Sequence, residues 1–144
     1  MAKNFNTYTT FRIHEATPAI FYAELNKEFA FDYDPCPLSE SPEKDGLTGR
    51  WGKRVYVNPP YGKEIRKWLH KAMIELTRDT EVVVFLLPAY TDVKWFHEIV
   101  LPNAQEIRFI KGRLKFGEHK ESAPFASMIV VFSCVARKEI EERK

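Results

Sequence analysis

The sequence predicts an α/β domain built on a mostly parallel β-sheet with helices on both faces. Segments of helical period alternate with short apolar runs along the chain. One run, VVVFLL (82–87), is apolar without a break, as a strand buried on both faces requires. The chain has 144 residues, 44% hydrophobic and 29% charged, which suffices for one core and is too little for two.

Residues 1–12 read as a flexible N-terminus, 13–136 as a single domain and 137–144 as a charged, solvated tail. Residues 16–29 read as a helix: Thr17 suits the N-cap, Pro18 the first helical position, and Ile20, Phe21 and Leu25 share a face. FAFDYD (29–34) alternates aromatic and acidic residues, a short strand ended by Pro35. Residues 35–50 carry three prolines and two glycines and read as a loop. KRVYVN (53–58) reads as a strand. Residues 63–78 form the clearest helix, with Ile65, Trp68, Leu69, Ala72, Met73 and Leu76 at helical spacing. Strand 81–88 follows, then helix 91–102 with Thr91 or Asp92 as cap, and strand 104–110. Residues 111–125 read as a basic loop or hairpin, and 127–135 as a last apolar strand.

In sheets of this kind ligands sit beyond the carboxyl ends of the strands. Asp34–Pro35, Asn58–Pro59 and Leu87–Pro88 all fall at such ends, so three separate segments point to one rim. A formal net charge of +2 neither demands nor excludes a nucleic-acid partner. Cys36 and Cys134 are too far apart for a metal-ligand spacing and read as free thiols. The N-terminus is polar, without the apolar core of a secretion signal. The VVVFLL run stops far short of the ~20 residues of a membrane span.

The stretch VYVNPPY (55–61) concentrates the chemistry. Each proline has a fixed φ and pushes the residue before it out of the helical region. Asn58 and Pro59 are therefore held extended beyond the strand, which sets the Asn58 side-chain oxygen and the Pro59 carbonyl beside each other. Two adjacent acceptors suit an amine with two hydrogens, and the Tyr61 ring suits a flat heterocycle. The alternative is a rigid turn between a strand and a helix.

NPPY is similar to the catalytic motif of S-adenosylmethionine-dependent amino-methyltransferases that act on adenine N6. The chain resembles the small phage-borne DNA N6-adenine methyltransferases of the Dam type over about residues 14–135. The resemblance rests on HEATPAIFYAELNKEFAFDYDPC (14–36), DGL (45–47) with Trp51, VYVNPPY, LLPAYTDVKWF (86–96), IKGRLKF (110–116) and APFASMIVVF (123–132). It implies a compact Rossmann-like methyltransferase fold with an antiparallel C-terminal strand. It also implies S-adenosylmethionine as cofactor, double-stranded DNA as partner, and no metal or membrane. The place of action would be the cytoplasm of a bacterial host, the chain being carried by a phage or prophage.

The same resemblance makes Asn58, Pro59, Pro60 and Tyr61 the catalytic residues, with the target adenine flipped out and stacked on Tyr61. It assigns Thr17 and Pro18 to the methionine end of the cofactor, Asp34, Pro35 and Cys36 to its amino end, and Asp45 and Leu47 to its adenine. Lys111, Arg113, Lys115 and Phe116 would contact DNA, in a cluster that begins at Arg108; Phe125 competes with Phe116 for the second face of the flipped base. RNA and protein-glutamine methyltransferases share NPPY, and the ordered set of segments is the more specific sign. No Gly-x-Gly loop follows the first strand, where the chain runs Pro37, Leu38, Ser39. That departure supports a rival reading, a non-catalytic nucleic-acid-binding module on the same scaffold. Glu40 and Glu43 stand in for a missing ribose-binding acid, and His70 reads as a surface residue.

Overall fold

The structure, a computed structural model, describes residues 18–37, 46–115 and 125–143. Thr17, Glu40, Glu43, Asp45 and Phe116 lie outside the described residues, as does the N-terminal segment 1–12. Helix α1 (Ala19–Phe29) buries Leu25 and Phe29 and packs Phe21 and Tyr22 against the core. Phe21, Leu25 and Phe29 follow one another at four-residue steps and Tyr22 precedes Leu25 by three, so all lie on one helical face. Ile20, expected on that face, is 83% exposed because it lies one residue out of that register. Pro18 occupies the N-cap position instead of the first helical position.

The helix ends at Ala30, in a left-handed conformation with φ 50°. The Asn26 side chain accepts the Phe31 N–H at 2.8 Å and turns the chain back. Asp32 then accepts the backbone N–H groups of Lys53 and Arg54, laying residues 31–34 along strand β1 (Arg54–Val57). The expected strand 29–34 is reduced to one parallel bridge, Tyr33 to Val55.

Helix α2 (Ile65–Glu75) is shorter than its sequence pattern but buries the expected Ile65, Trp68, Leu69 and Ala72, with Leu76 just beyond it. Strand β2 (Val82–Pro88) is buried at all seven positions. The next helical segment is irregular: a π-helical turn, Phe96–Val100, runs into α3 (Leu101–Asn103). Pro102 has no N–H for the carbonyl four residues back, and the wider turn accommodates its ring. Strand β3 (Glu106–Phe109) and strand β4 (Ser127–Ser133) follow. The charged tail is helical: α4 (Cys134–Glu142) starts where the last strand was expected to continue, and Lys138, Glu139, Glu141 and Glu142 on it are exposed.

The sheet order is β1-β2-β4-β3. A mostly parallel sheet does not form: β1 pairs with β2 in parallel, and β4 is antiparallel to both β2 and β3. The expected antiparallel C-terminal strand is β4, but it is inserted between β2 and β3. Strands β1, β2 and β3 still point the same way. An apolar run reports burial on two faces, which a central strand has in either direction, so pattern alone could not decide this. Tyr56, Val84, Val131 and Glu106 share one face in register, and α1 lies over it through Tyr22, whose ring meets Tyr56 edge-on at 5.0 Å. On the other face Phe85 and Phe132 meet edge-on at 5.8 Å. Each fully buried side chain of this size contributes roughly 1.5–3 kcal/mol.

Candidate active site

Because β1, β2 and β3 run together, their carboxyl ends share one rim. The Tyr33 bridge carries Asp34 to it. Strand β4 starts there, with Ser127 opposite Pro88. The rim therefore gathers Asp34–Cys36, Asn58–Tyr61, Pro88–Tyr90, Ile110–Lys115 and Phe125–Ser127. Three of these five were legible from strand ends in the sequence.

Asp34 accepts the Cys36 N–H at 2.9 Å, a local turn that leaves the carboxylate half-buried at the rim. Burial, then the Asp34 charge, pushes the Cys36 thiol up to about 11, so at neutral pH it is not a nucleophile. The same two causes raise the Tyr22 phenol, which places the first turns of α1 within electrostatic reach of Asp34. Pro35 is buried beneath Gly46: a Cβ there would lie 2.1 Å from the Pro35 carbonyl oxygen and 2.9 Å from the Trp68 ring. Only glycine fits such an approach. The DPC and DGL segments, assigned to one cofactor by resemblance, are thus in contact, with Leu47 packed against the core.

Their support is built from two tryptophans and an ion pair. Trp51 donates its indole N–H to the Gly46 carbonyl at 2.7 Å and stacks on Trp68 at 6.4 Å. The Trp51 backbone N–H donates to Glu75 at 3.0 Å, and Lys71 bonds the same carboxylate oxygen. Burial alone would raise the Glu75 carboxyl. The Lys71 and Trp51 bonds and the Lys71 and Arg78 charges outweigh it and hold the group below the usual range.

Asn58 and Pro60 are half-buried and Pro59 is buried. Gly62, with φ 105°, takes a left-handed turn that leads the chain into α2. Tyr61 is only 4% exposed. Its hydroxyl donates to the Leu86 carbonyl at 3.0 Å, and its ring meets Phe125 at 5.6 Å. Phe125 in turn meets Tyr90 edge-on at 5.9 Å. The ring expected to receive a base is therefore packed against Phe125 in this structure. Tyr90 was missed by sequence reasoning, although it follows the end of β2 much as Tyr61 follows the end of β1. Nearby, the Ser127 hydroxyl is buried without a hydrogen-bond partner.

Lys111, Arg113 and Lys115 are exposed at the end of β3, in a turn with Gly112 at φ 76°. Arg108 does not join them. It bonds Glu28 through two nitrogens and also Glu106, and covers the Phe29 ring at 5.4 Å. His70 is exposed, as expected. A cavity of about 670 Å3 lies at the opposite rim, lined in part by Glu28, Arg54, Glu81 and Glu106, all held in ion pairs. Among the described residues no helix is long and apolar enough to cross a membrane, and no cluster of His, Cys, Asp and Glu could hold a metal ion.

A family model, DNA N-6-adenine-methyltransferase (Dam), matches residues 6–140. The chain belongs to the Dam family. The match takes in all five rim segments of this Dam-family chain, together with the tryptophan pair beneath them. No curated protein matches it.

Proposed function

We propose that this chain transfers a methyl group from S-adenosylmethionine to N6 of adenine in double-stranded DNA, in the cytoplasm of a bacterial host. The observation that carries the reading is the course of two neighbouring segments: residues 31–34 run parallel beside β1, with Tyr33 bridging Val55, so Asp34–Cys36 and Asn58–Tyr61 leave adjacent strands toward the same rim. A donor held at Asp34–Leu47 and an acceptor held at Asn58 would be neighbours.

The residues fit the cofactor in kind. Asp34 offers a half-buried carboxylate to an ammonium group, and the Pro35–Gly46 contact makes a rigid wall backed by Trp51 and Trp68. Pro18, at the start of α1, brings a helix N-terminus suited to a carboxylate. When bound, S-adenosylmethionine supplies an electrophilic methyl on a sulfonium. The chain's own part is to activate and align the nucleophile. The lone pair of an adenine amine is delocalised into its ring. Acceptor bonds from the amine hydrogens to Asn58 and Pro59 favour a localised lone pair and absorb the positive charge that develops on nitrogen. The two prolines hold those oxygens in place, which supplies the orientation term. Nitrogen gains the methyl, the carbon–sulfur bond breaks to give a neutral thioether, and one N6 proton leaves to solvent. Stacking on Tyr61 would require its contact with Phe125 to open.

Incubation with methyl-labelled cofactor and adenine-containing duplex DNA tests this: label should appear on N6. Label only on RNA or on protein glutamine would overturn the substrate. DNA binding without any heat of cofactor binding would instead identify a non-catalytic module.

A further inference from the structure

Arg108 and Phe109 are consecutive residues on the edge strand β3, and they are treated in opposite ways. Arg108 faces α1 and is engaged by Glu28, Glu106 and the Phe29 ring. Phe109 faces the other way and is 63% exposed. Single exposed apolar residues are ordinary on protein surfaces. Ile20, Ile74, Leu101 and Val135 are of that kind, and all four lie on helices. Phe109 differs in three respects. Its backbone is held rigidly by pairing with Met128. It is the last residue of its strand, at the rim that carries Asn58. It opens the run FIKGRLK (109–115), which holds three cations and no carboxylate. Lys111 and Lys115 of that run are exposed, and the Ile110 N–H donates to the Ser127 carbonyl at 3.1 Å, so the turn leaves the sheet from a fixed point.

An exposed aromatic ring on a strand at the edge of the described sheet is an aggregation liability unless a partner takes it. The cations choose the partner: a second copy would bring like charges together, whereas a polyanion would be drawn in. Along the sheet, β3 lies three strand spacings from β1, roughly 14 Å. That is comparable with the ~12 Å width of a DNA major groove. A base extruded to Asn58 and a duplex resting on the end of β3 are compatible with that separation.

We propose that Phe109 is a DNA-contacting residue that packs its ring against base or sugar surface of the duplex while Lys111 and Lys115 contact the flanking phosphates. The inference rests on the DNA methyltransferase reading and adds to it a residue that reads non-ionic surface. The test is the affinity of the full chain, with S-adenosylmethionine present, for a pool of fluorescent duplexes of randomised sequence. Phe109→Ala should lose about tenfold in affinity, ~1.4 kcal/mol, in the range of a base–aromatic contact, with the salt dependence unchanged. Lys111→Ala should lower the salt slope by about one. Phe109→Trp should restore affinity, and none of the three should alter cofactor binding.

If the wild-type chain binds duplex and Phe109→Ala binds equally well, the assignment of Phe109 is wrong while the DNA reading stands. A wild-type chain that binds no duplex overturns both. A drop of several degrees in the melting temperature of Phe109→Ala would make the ring a folding contact and reject the proposal. So would conversion of a self-associated chain to a smaller species with DNA affinity unchanged.

Discussion

Where β1 and β2 begin, charge is paired within the protein: Arg54 with Glu81, Lys53 with Glu81, and nearby Arg108 with Glu28 and Glu106. Where the same strands end, the chain presents rings, prolines and the exposed cations Lys111 and Lys115. A cavity of about 670 Å3 lies at the first rim, yet the convergent chemistry lies at the second. Volume is a weaker guide to a site than the partners its polar groups already have. Charges engaged with one another contribute modestly to stability and leave little for a ligand. Cations outside such pairs among the described residues, at a rim with four prolines and the Tyr61, Tyr90 and Phe125 rings, are available to one.

Substitutions at the two rims should separate these roles. The largest effect is expected for Asn58→Ala, with turnover down by about 10²–10³ and cofactor affinity by calorimetry unchanged. Equal loss of both would make Asn58 structural. Glu81→Ala, at the opposite rim, should leave turnover intact.

Next comes the support of the cofactor wall. Glu75→Ala leaves the Lys71 ammonium buried without its partner, and denaturant unfolding should show a loss of about 3–5 kcal/mol. The pH dependence follows from the depressed Glu75 carboxyl. The unfolded group titrates near 4.5 and the folded one lower, so between those values the unfolded chain binds more protons. The stabilisation is present above 4.5 and is lost as pH falls through the folded value. Replacing Glu75 with Gln should flatten that acid limb.

Gly46→Ala should cost about 1–3 kcal/mol, since its Cβ must displace the Pro35 carbonyl. It should also weaken cofactor binding, whereas the exposed-pair change Glu28→Ala should cost less than ~1 kcal/mol and leave binding alone. The smallest effect is expected for Ser127→Ala. Its hydroxyl has no partner to lose, so melting temperature should hold or rise slightly. A clear drop would show that the hydroxyl is bonded in solution.

Much of the site was legible because its parts are short and local. NPPY announces itself by two prolines after a β-branched run, and Asp34–Pro35 and Leu87–Pro88 mark strand ends the same way. The basic turn after β3 could be seen as a charge cluster, but not that Arg108 leaves it, since its partner Glu28 lies 80 residues away. The packing of Tyr61 against Phe125 was equally hidden. The aromatic content suggested rings for stacking, and sequence does not say which ring stacks on which.

The sequence by itself determined where α1, α2 and strands β1 to β4 fall to within a few residues, which segments end strands, and the family to which the chain belongs. Apolar period, proline and glycine act on their nearest neighbours and are readable without a partner. Only the tertiary structure decided that β4 enters the sheet between β2 and β3, that Gly46 closes on Pro35, and that one of two adjacent residues, Arg108, is held in ion pairs while Phe109 is left exposed. Each of these depends on which surfaces meet across long stretches of chain. Pattern reports that a face is apolar, while the rest of the fold determines what covers it.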